Sequence, residues 1–313
     1  MDAMADQTRI EWCDATFNPW TGCQHVSPAC DHCYAEAQAK RAPKTFGGWG
    51  PHAERRRTSE SYWRQPLLWN KRAAKEGRRL RVFCASMADV FDNQVPVEWR
   101  EDLWALIHDT PHLDWLLLTK RPGNIRKMLP PAFMLMNAPW PWPNVWLGTT
   151  VENQAEADRR IPELLAVPAR VRFLSCEPLL GAVDLTRARH PSGGWDNYLT
   201  GDRHRAQAIW SDSTGLAWVI AGGESGPHAR PSHPDWSRSL RDQCAAAGVP
   251  FFFKQVGEWQ HRPDWAHFRE AVPEPWRRVP SAQEGVRPAL MFRVGKKAAG
   301  VLLDGREHRE WPA

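Results

Sequence analysis

The sequence predicts an α/β fold, a partial (β/α) barrel of about six to seven units with loop insertions. Short apolar runs of strand length recur along the chain, and stretches with helical character separate most of them. These runs are continuously apolar rather than alternating, as strands are when helices cover both faces of a parallel sheet. No break in composition interrupts the series. The chain therefore reads as one barrel domain over residues 1–313, with an insertion around 187–215 and an extension from about 259.

A first strand is expected at Arg9 to Asp14, followed by a cysteine-bearing loop and a helical run from Ala35 to Ala42. Phe46-Gly47-Gly48-Trp49-Gly50-Pro51 and Arg55-Arg56-Arg57 read as an exposed loop, because glycine and charge interrupt either periodicity. Glu60 to Arg79 is helical in pattern, with Pro66 marking a break or a start. Further strands are expected at Leu80 to Ala85, Trp115 to Thr119, Val145 to Thr149, Val171 to Cys176, Ala217 to Ala221 and Val249 to Lys254. Helices are expected at Trp99 to Asp109, Gly123 to Leu129, Gln154 to Leu165 and Trp236 to Ala247. Pro130 to Pro143, rich in Pro, Met and Trp, reads as an extended loop. So does Arg187 to Gly215, which holds Ser192-Gly193-Gly194, Gly201-Asp202-Arg203-His204-Arg205 and Asp212-Ser213. Beyond Trp259, Leu290 to Arg293 and Val301 to Asp304 look like two short strands, closed by Gly305.

Composition narrows the function classes. With 42% hydrophobic and 25% charged residues the chain is globular rather than disordered. No apolar run approaches the ~20 residues of a membrane span, and Met1 to Asp6 is acidic and lacks a signal peptide's apolar stretch. The expectation is a cytoplasmic protein without a membrane partner. A net charge of +5 permits nucleic acid as a partner without requiring it. The 19 Trp against 3 Tyr read first as packing residues, with base stacking as the competing use. Seven unevenly placed cysteines are too few for a disulfide framework. In a reducing compartment a tight cysteine cluster binds metal or does redox work.

That cluster is Cys23, Cys30 and Cys33, spaced C-x6-C-x2-C. Four protein ligands close a structural metal site, whereas three leave one position open for a substrate or cofactor. On spacing alone, zinc completed by His25, His32 or Cys13 stands level with an iron–sulfur cluster. Position in the barrel adds information, because ligands of parallel α/β sheets sit at the carboxyl ends of the strands. Those ends are Ser86-Met87-Ala88-Asp89, Thr119-Lys120-Arg121-Pro122, Thr149-Thr150-Val151-Glu152-Asn153, Ser175-Cys176-Glu177-Pro178, Gly222-Gly223-Glu224-Ser225 and Lys254-Gln255. Polar groups at strand after strand, on the rim that also carries the cysteine loop, indicate a site for a polar cofactor. Cys84 and Cys176 read as small buried hydrophobes, with hydrogen-atom donation the alternative, and Cys13 and Cys244 read as structural.

Three cysteines in the loop after the first strand of a partial barrel resemble the radical S-adenosylmethionine (SAM) superfamily. More closely, the chain resembles the phage Gp37/Gp68-type (DUF5131) proteins. The matching segments include Phe17-Asn18-Pro19-Trp20-Thr21-Gly22-Cys23, Val26 to Glu36, Leu118-Thr119-Lys120-Arg121-Pro122, Leu147 to Glu152, Ser175 to Leu179, Ala221 to Gly226, Phe253-Lys254-Gln255 and Leu303-Asp304-Gly305-Arg306. The superfamily resemblance implies a radical-SAM-like barrel and a [4Fe–4S] cluster whose free iron binds the amine and carboxylate of SAM. Reductive cleavage then gives a 5′-deoxyadenosyl radical, with a flavodoxin- or ferredoxin-type one-electron reductant as partner.

Carried over, Cys23, Cys30 and Cys33 become the cluster ligands. The usual spacing is C-x3-C-x2-C, so the six-residue gap departs from the pattern, and His32 replaces the aromatic before the third cysteine. The amine-binding Gly-Gly-Glu normally follows the second strand, where this chain has Ser86-Met87-Ala88-Asp89; its Gly222-Gly223-Glu224 follows the sixth. Toward SAM, Asp89 or Ser86 is expected near the amine, Lys120 or Arg121 near the carboxylate, and Glu152 or Glu177 at the ribose hydroxyls. Cys176, Lys254 and Glu224 are the candidates for action on the substrate.

The substrate is expected to be a nucleic acid or nucleotide, through base modification or photolesion repair, the latter by analogy with spore photoproduct lyase. That expectation rests on the mild basicity, on Arg55-Arg56-Arg57, Arg78-Arg79, Arg203-His204-Arg205 and Arg277-Arg278, and on the Trp-rich loops. The competing expectation is a non-catalytic zinc- or cluster-bearing protein that binds nucleic acid or a protein partner.

Overall fold

The computed structural model describes residues 8–136, 138–189, 195–202, 215–262, 275–281 and 285–313. Ser192-Gly193-Gly194, Arg203-His204-Arg205 and Asp212-Ser213 lie outside the described residues. The chain divides into two compact units, Met1–Thr149 with Glu163–Arg172, and Thr150–Pro162 with Phe173–Ala313.

The first unit begins with β1 (Ala15–Thr16), β2 (Trp20–Thr21), a 3-10 turn over Pro28–Cys30, α1 (Tyr34–Arg41) and β3 (Arg56–Arg57). Next come α2 (Glu60–Trp63), α3 (Gln65–Glu76), β4 (Leu80–Cys84), α4 (Val97–His108) and β5 (Leu113–Thr119). α5 (Pro122–Ile125), α6 (Ala132–Leu135) and β6 (Val145–Thr150) complete the series. β1, β4, β5 and β6 pair in parallel in that order, with Ala15 opposite Val82, Leu80 opposite Leu113 and Trp115 opposite Val145. Nearly every residue of β4, β5 and β6 is buried, as continuous apolar strands require. α4 buries Leu103, Trp104, Leu106 and Ile107, while α3 stops at Gly77, which takes the left-handed φ of 65° that ends a helix.

α7 (Gln154–Leu165) and β7 (Val171–Cys176) run across the division between the units. The second unit continues with β8 (Ala188–Arg189), β9 (Trp195–Asp196), β10 (Trp218–Gly222), α8 (Pro234–Ala247) and β11 (Phe251–Gln255). It ends with β12 (Trp259–His261), β13 (Trp276–Val279), β14 (Ala289–Arg293) and α9 (Lys296–Ala299). β7, β10 and β11 pair in parallel, with Phe173 opposite Trp218 and Val219 opposite Phe251. β12, β14 and β13 make an antiparallel sheet of their own. α8 starts at Pro234, where a missing N–H costs nothing, and the His233 ring accepts from Asp235 N at 3.1 Å. Along the outer side of β11 the segment 307–311 supplies further partners. Phe253 N donates to His308 O at 2.9 Å, Glu310 N to Phe251 O at 3.3 Å, and Phe251 N to the Glu310 carboxylate at 3.0 Å.

Seven strands form one sheet in the order β1-β4-β5-β6-β7-β10-β11, the partial (β/α) barrel that the sequence predicts. Four expectations need correction. The first strand is not Arg9 to Asp14. Thr8 Oγ1 takes the Ile10 N–H and Ile10 O takes the Cys13 N–H, which bends this stretch into a turn, and the ladder starts only at Asp14 N to Arg81 O. Val301 to Asp304 is not a strand: Leu303 and Arg306 exchange backbone hydrogen bonds across Asp304 and Gly305, both at positive φ (53° and 77°). Asp-Gly is the pair that tolerates such a two-residue turn. A short helix, α6, lies inside the expected loop Pro130 to Pro143. The glycine-rich loop is exposed only in part: Gly48, Pro51 and Arg56 are exposed, whereas Gly47 and Arg55 are buried, as described below.

Trp20, Trp69, Trp104, Trp115 and Trp218 are fully buried, so packing accounts for these five. No helix among the described residues is long and apolar enough to cross a membrane.

Candidate functional site

In the first unit the cysteine loop leaves β2 and is held by the segment that the sequence suggests is solvent-exposed. β2 pairs antiparallel with β3, and Gly50 N donates to Cys23 O at 2.9 Å. Gly47 approaches so closely that a Cβ there would stand 2.2 Å from Thr21 O. Gly22, at φ 105°, donates its N–H to Met87 O beyond β4. Beneath this loop Arg55 is buried and paired with the buried Asp92 at 2.8 Å, and it also donates to Gly50 O and Ala53 O. Arg55 is therefore a scaffold for the cysteine loop rather than a surface cation. Arg57 pairs with Asp102 at 2.6 Å and stacks over Trp63.

Cys30 ends the 3-10 turn and Cys33 is the N-cap residue of α1. All three loop cysteines are free and only partly buried, in contrast to Cys13, Cys84, Cys176 and Cys244, which are buried. Burial pushes the Cys23 thiol up to about 11, with Asp89 acting in the same direction and Arg121 opposing it. Burial raises Cys13 and Cys244 to about 12, and raises Cys84 and Cys176 well above the usual thiol range. All four lie buried, none in a disulfide.

The strand ends of this unit converge on the loop. Asn18 ties the ends of β1 and β4 together: its Oδ1 accepts from Met87 N at 2.8 Å, and its amide and the Ser86 hydroxyl exchange hydrogen bonds at 3.2 and 3.3 Å. Tyr34, next to Cys33, donates its hydroxyl to Ser86 O at 2.8 Å. Asp89 is buried and heavily used. It accepts from Thr119 Oγ1 at 2.7 and 2.9 Å, Phe91 N at 2.9 Å, Lys120 N at 3.2 Å and Arg121 Nη1 at 2.9 Å. Arg121 also reaches Cys23 Sγ at 3.8 Å and Gln24 O at 3.3 Å. Lys120 is half-buried and makes no side-chain ion pair among the described residues.

In the second unit the rim carboxylates each hold a cation. Glu152 is fully buried and pairs with Arg160 at 3.0 Å. Glu177 pairs with Lys254 at 2.8 Å. Glu224 forms a fork with Arg230 at 2.7 and 2.9 Å. Gly222 lies close to the second of these pairs, where a Cβ would meet Glu177 Oε2 at 3.3 Å. Arg160 and Arg230 are absent from the sequence-based candidates because strand-end reading finds rim residues and not the helix and loop cations that answer them. Asn18 and the Gly47-Gly48 pair were likewise missed as site residues, although Asn18-Pro19 and the paired glycines are visible signals of a fixed loop.

The donor chemistry of the loop fits an iron–sulfur cluster: three thiols from one short segment, none in a disulfide. Among the described residues no three His, Cys, Asp or Glu side chains gather closely enough to share a single ion. A cuboidal cluster is met at separate corners, so its thiolates need not close on one point.

No curated protein matches the chain. Among solved structures it is similar to spore photoproduct lyase. In a mutant of that enzyme with bound AdoMet and dinucleoside spore photoproduct, the TM-score is 0.42 at 8% identity, covering 94% of this chain and 73% of that one. For the lyase complexed with dinucleoside spore photoproduct the TM-score is 0.41 at 10% identity, covering 94% and 72%. The family described as "Protein of unknown function (DUF5131)" matches residues 7–312, and the chain belongs to that family.

Proposed function

We propose that the chain is a radical SAM enzyme acting on a nucleic acid or nucleotide. The observation that carries this reading is the loop of three free thiols after the first parallel strand, braced by the ends of β4 and β5 within one unit. Cys23, Cys30 and Cys33 would hold a [4Fe–4S] cluster. When bound, that cluster supplies one electron to the SAM sulfonium and so a 5′-deoxyadenosyl radical. Lys120 is the strand-end cation left to neutralise the SAM carboxylate, and the Ser86 hydroxyl is the nearby acceptor for its amine. Arg277 and Arg278 are exposed on β13, with Arg277 5.9 Å over the Trp259 ring, which supports a phosphate-bearing substrate. The partner implied is a one-electron reductant of the flavodoxin or ferredoxin type.

Anaerobic reconstitution with iron and sulfide, followed by dithionite reduction in the presence of SAM, tests the proposal. The expected product is 5′-deoxyadenosine, abolished in Cys23→Ala with the fold retained. A protein with stoichiometric zinc and no iron–sulfur absorption would overturn it.

A further inference from the structure

The Asp89–Arg121 pair is built into the cysteine loop rather than facing solvent. Both side chains are more than nine-tenths buried, 7% and 9% exposed, at a contact of 2.9 Å. Asp89 is immobilised first, by the Thr119 hydroxyl and by the backbone N–H groups of Phe91 and Lys120. Held by that carboxylate, the Arg121 guanidinium spans two consecutive residues of the loop, one arm on Cys23 Sγ and the other on Gln24 O. The Cys23 thiol donates its own proton to Gln24 O at 3.6 Å. Once that proton is lost to metal binding, Arg121 is the charged donor left on the sulfur. A buried, doubly anchored arginine is poorly suited to reach out to a diffusible carboxylate, and well suited to fix a sulfur.

We propose that Arg121 is a positioning residue for Cys23, orienting its thiolate and raising the reduction potential of the cluster held there. An N–H donated to a ligating sulfur stabilises the more negative reduced cluster, and the direct contact at 3.8 Å delivers that donor while Asp89, 2.9 Å behind it, offsets part of the guanidinium's charge. This inference rests on the cluster reading above and extends it to a residue outside the ligand set.

The test uses the reconstituted full chain as wild type, Arg121→Gln and Arg121→Lys. Circular dichroism, iron and sulfide content, and midpoint potential by EPR-monitored titration are measured for each. Arg121→Gln is expected to move the potential to more negative values or to lose the cluster with its fold intact. Arg121→Lys keeps the charge beside Asp89 but loses the planar fork, and its potential is expected to fall between the two. A wild-type cluster whose content and potential are unchanged in the variants overturns the inference while leaving the cluster reading standing. Wild type without any cluster overturns both. Should Arg121→Gln fail to fold, the lysine variant carries the same decision, an unchanged potential and iron content counting against the proposal.

Discussion

Arg160 reaches Glu152 at 3.0 Å with both side chains closed to solvent, and the same Nη1 donates to Thr150 O at 2.7 Å. Removing one member of such a pair leaves a buried charge unanswered. Arg160→Leu is therefore expected to cost about 3–5 kcal/mol in urea unfolding. The double variant Glu152→Leu/Arg160→Leu is expected to recover much of that loss, because it removes the buried Glu152 charge while Glu156, the other carboxylate on Arg160, keeps Arg159 as its partner. A double variant as unstable as the single one would show that the packing, not the charge, is at stake.

The cysteines divide into two sets with opposite expectations. In protein reconstituted with iron and sulfide to test the proposed cluster, Cys23→Ser, Cys30→Ser and Cys33→Ser are expected to hold less iron than wild type while far-ultraviolet circular dichroism stays unchanged, since these side chains are only partly buried. Cys84→Ala and Cys244→Ala are expected to keep their iron and lose about 1 kcal/mol of stability, as small core truncations do. Iron analysis and thermal melts on one set of preparations read both.

Gly223 shows where the second unit tolerates no side chain. A Cβ there would stand 1.9 Å from the carbonyl oxygen of Val256, which is backbone and cannot swing away. Gly223→Ala is expected to destabilise by about 3 kcal/mol or more. At Gly222 the nearest atom is Glu177 Oε2 at 3.3 Å, the end of a side chain, so Gly222→Ala is expected to cost less than its neighbour. Paired chemical denaturation curves give the ranking.

Asp304 sets part of the acid response. Hydrogen bonds from Arg238, with a further one from Arg241, hold its carboxyl at about 2. A depressed carboxylate contributes its full stability above the ordinary range near pH 4, and that contribution fades as the pH falls toward the folded value. The side chain is 38% exposed and screened by solvent, so the effect is about 0.5–1 kcal/mol at low salt. Asp304→Asn, which tolerates the positive φ, is expected to flatten the stability profile between about pH 4 and 2. A variant profile parallel to the wild type would sink this assignment.

Strand reading succeeded where burial on both faces made the apolar run continuous. Val171–Cys176 has the same limits in sequence and structure, and every residue of it is buried. It failed at β1, a two-residue strand too short to leave a pattern, beside an apolar Trp12-Cys13 pair that packs from a turn. At the site, the strand ends were legible as polar positions, but their partners were not. Asp89 follows β4 and Arg121 follows β5, so their mutual claim on each other is a tertiary fact with no local signature. Arg55 illustrates the reverse error. Three consecutive arginines look like solvated surface, yet the first is buried against Asp92, 37 residues away.

The segment 307–311 along β11 has a bearing on solubility. β11 opens with Phe251-Phe252-Phe253, and without its flanking segment it would offer unpaired N–H and C=O groups beside three aromatic rings. Bare apolar edges of this kind recruit strands from other molecules. A chain shortened before Glu307 is thus expected to form intermolecular assemblies, visible in light scattering as soon as it is concentrated. Residues 307–311 thus act as an edge cover for β11, occupying backbone groups that another strand would otherwise pair with.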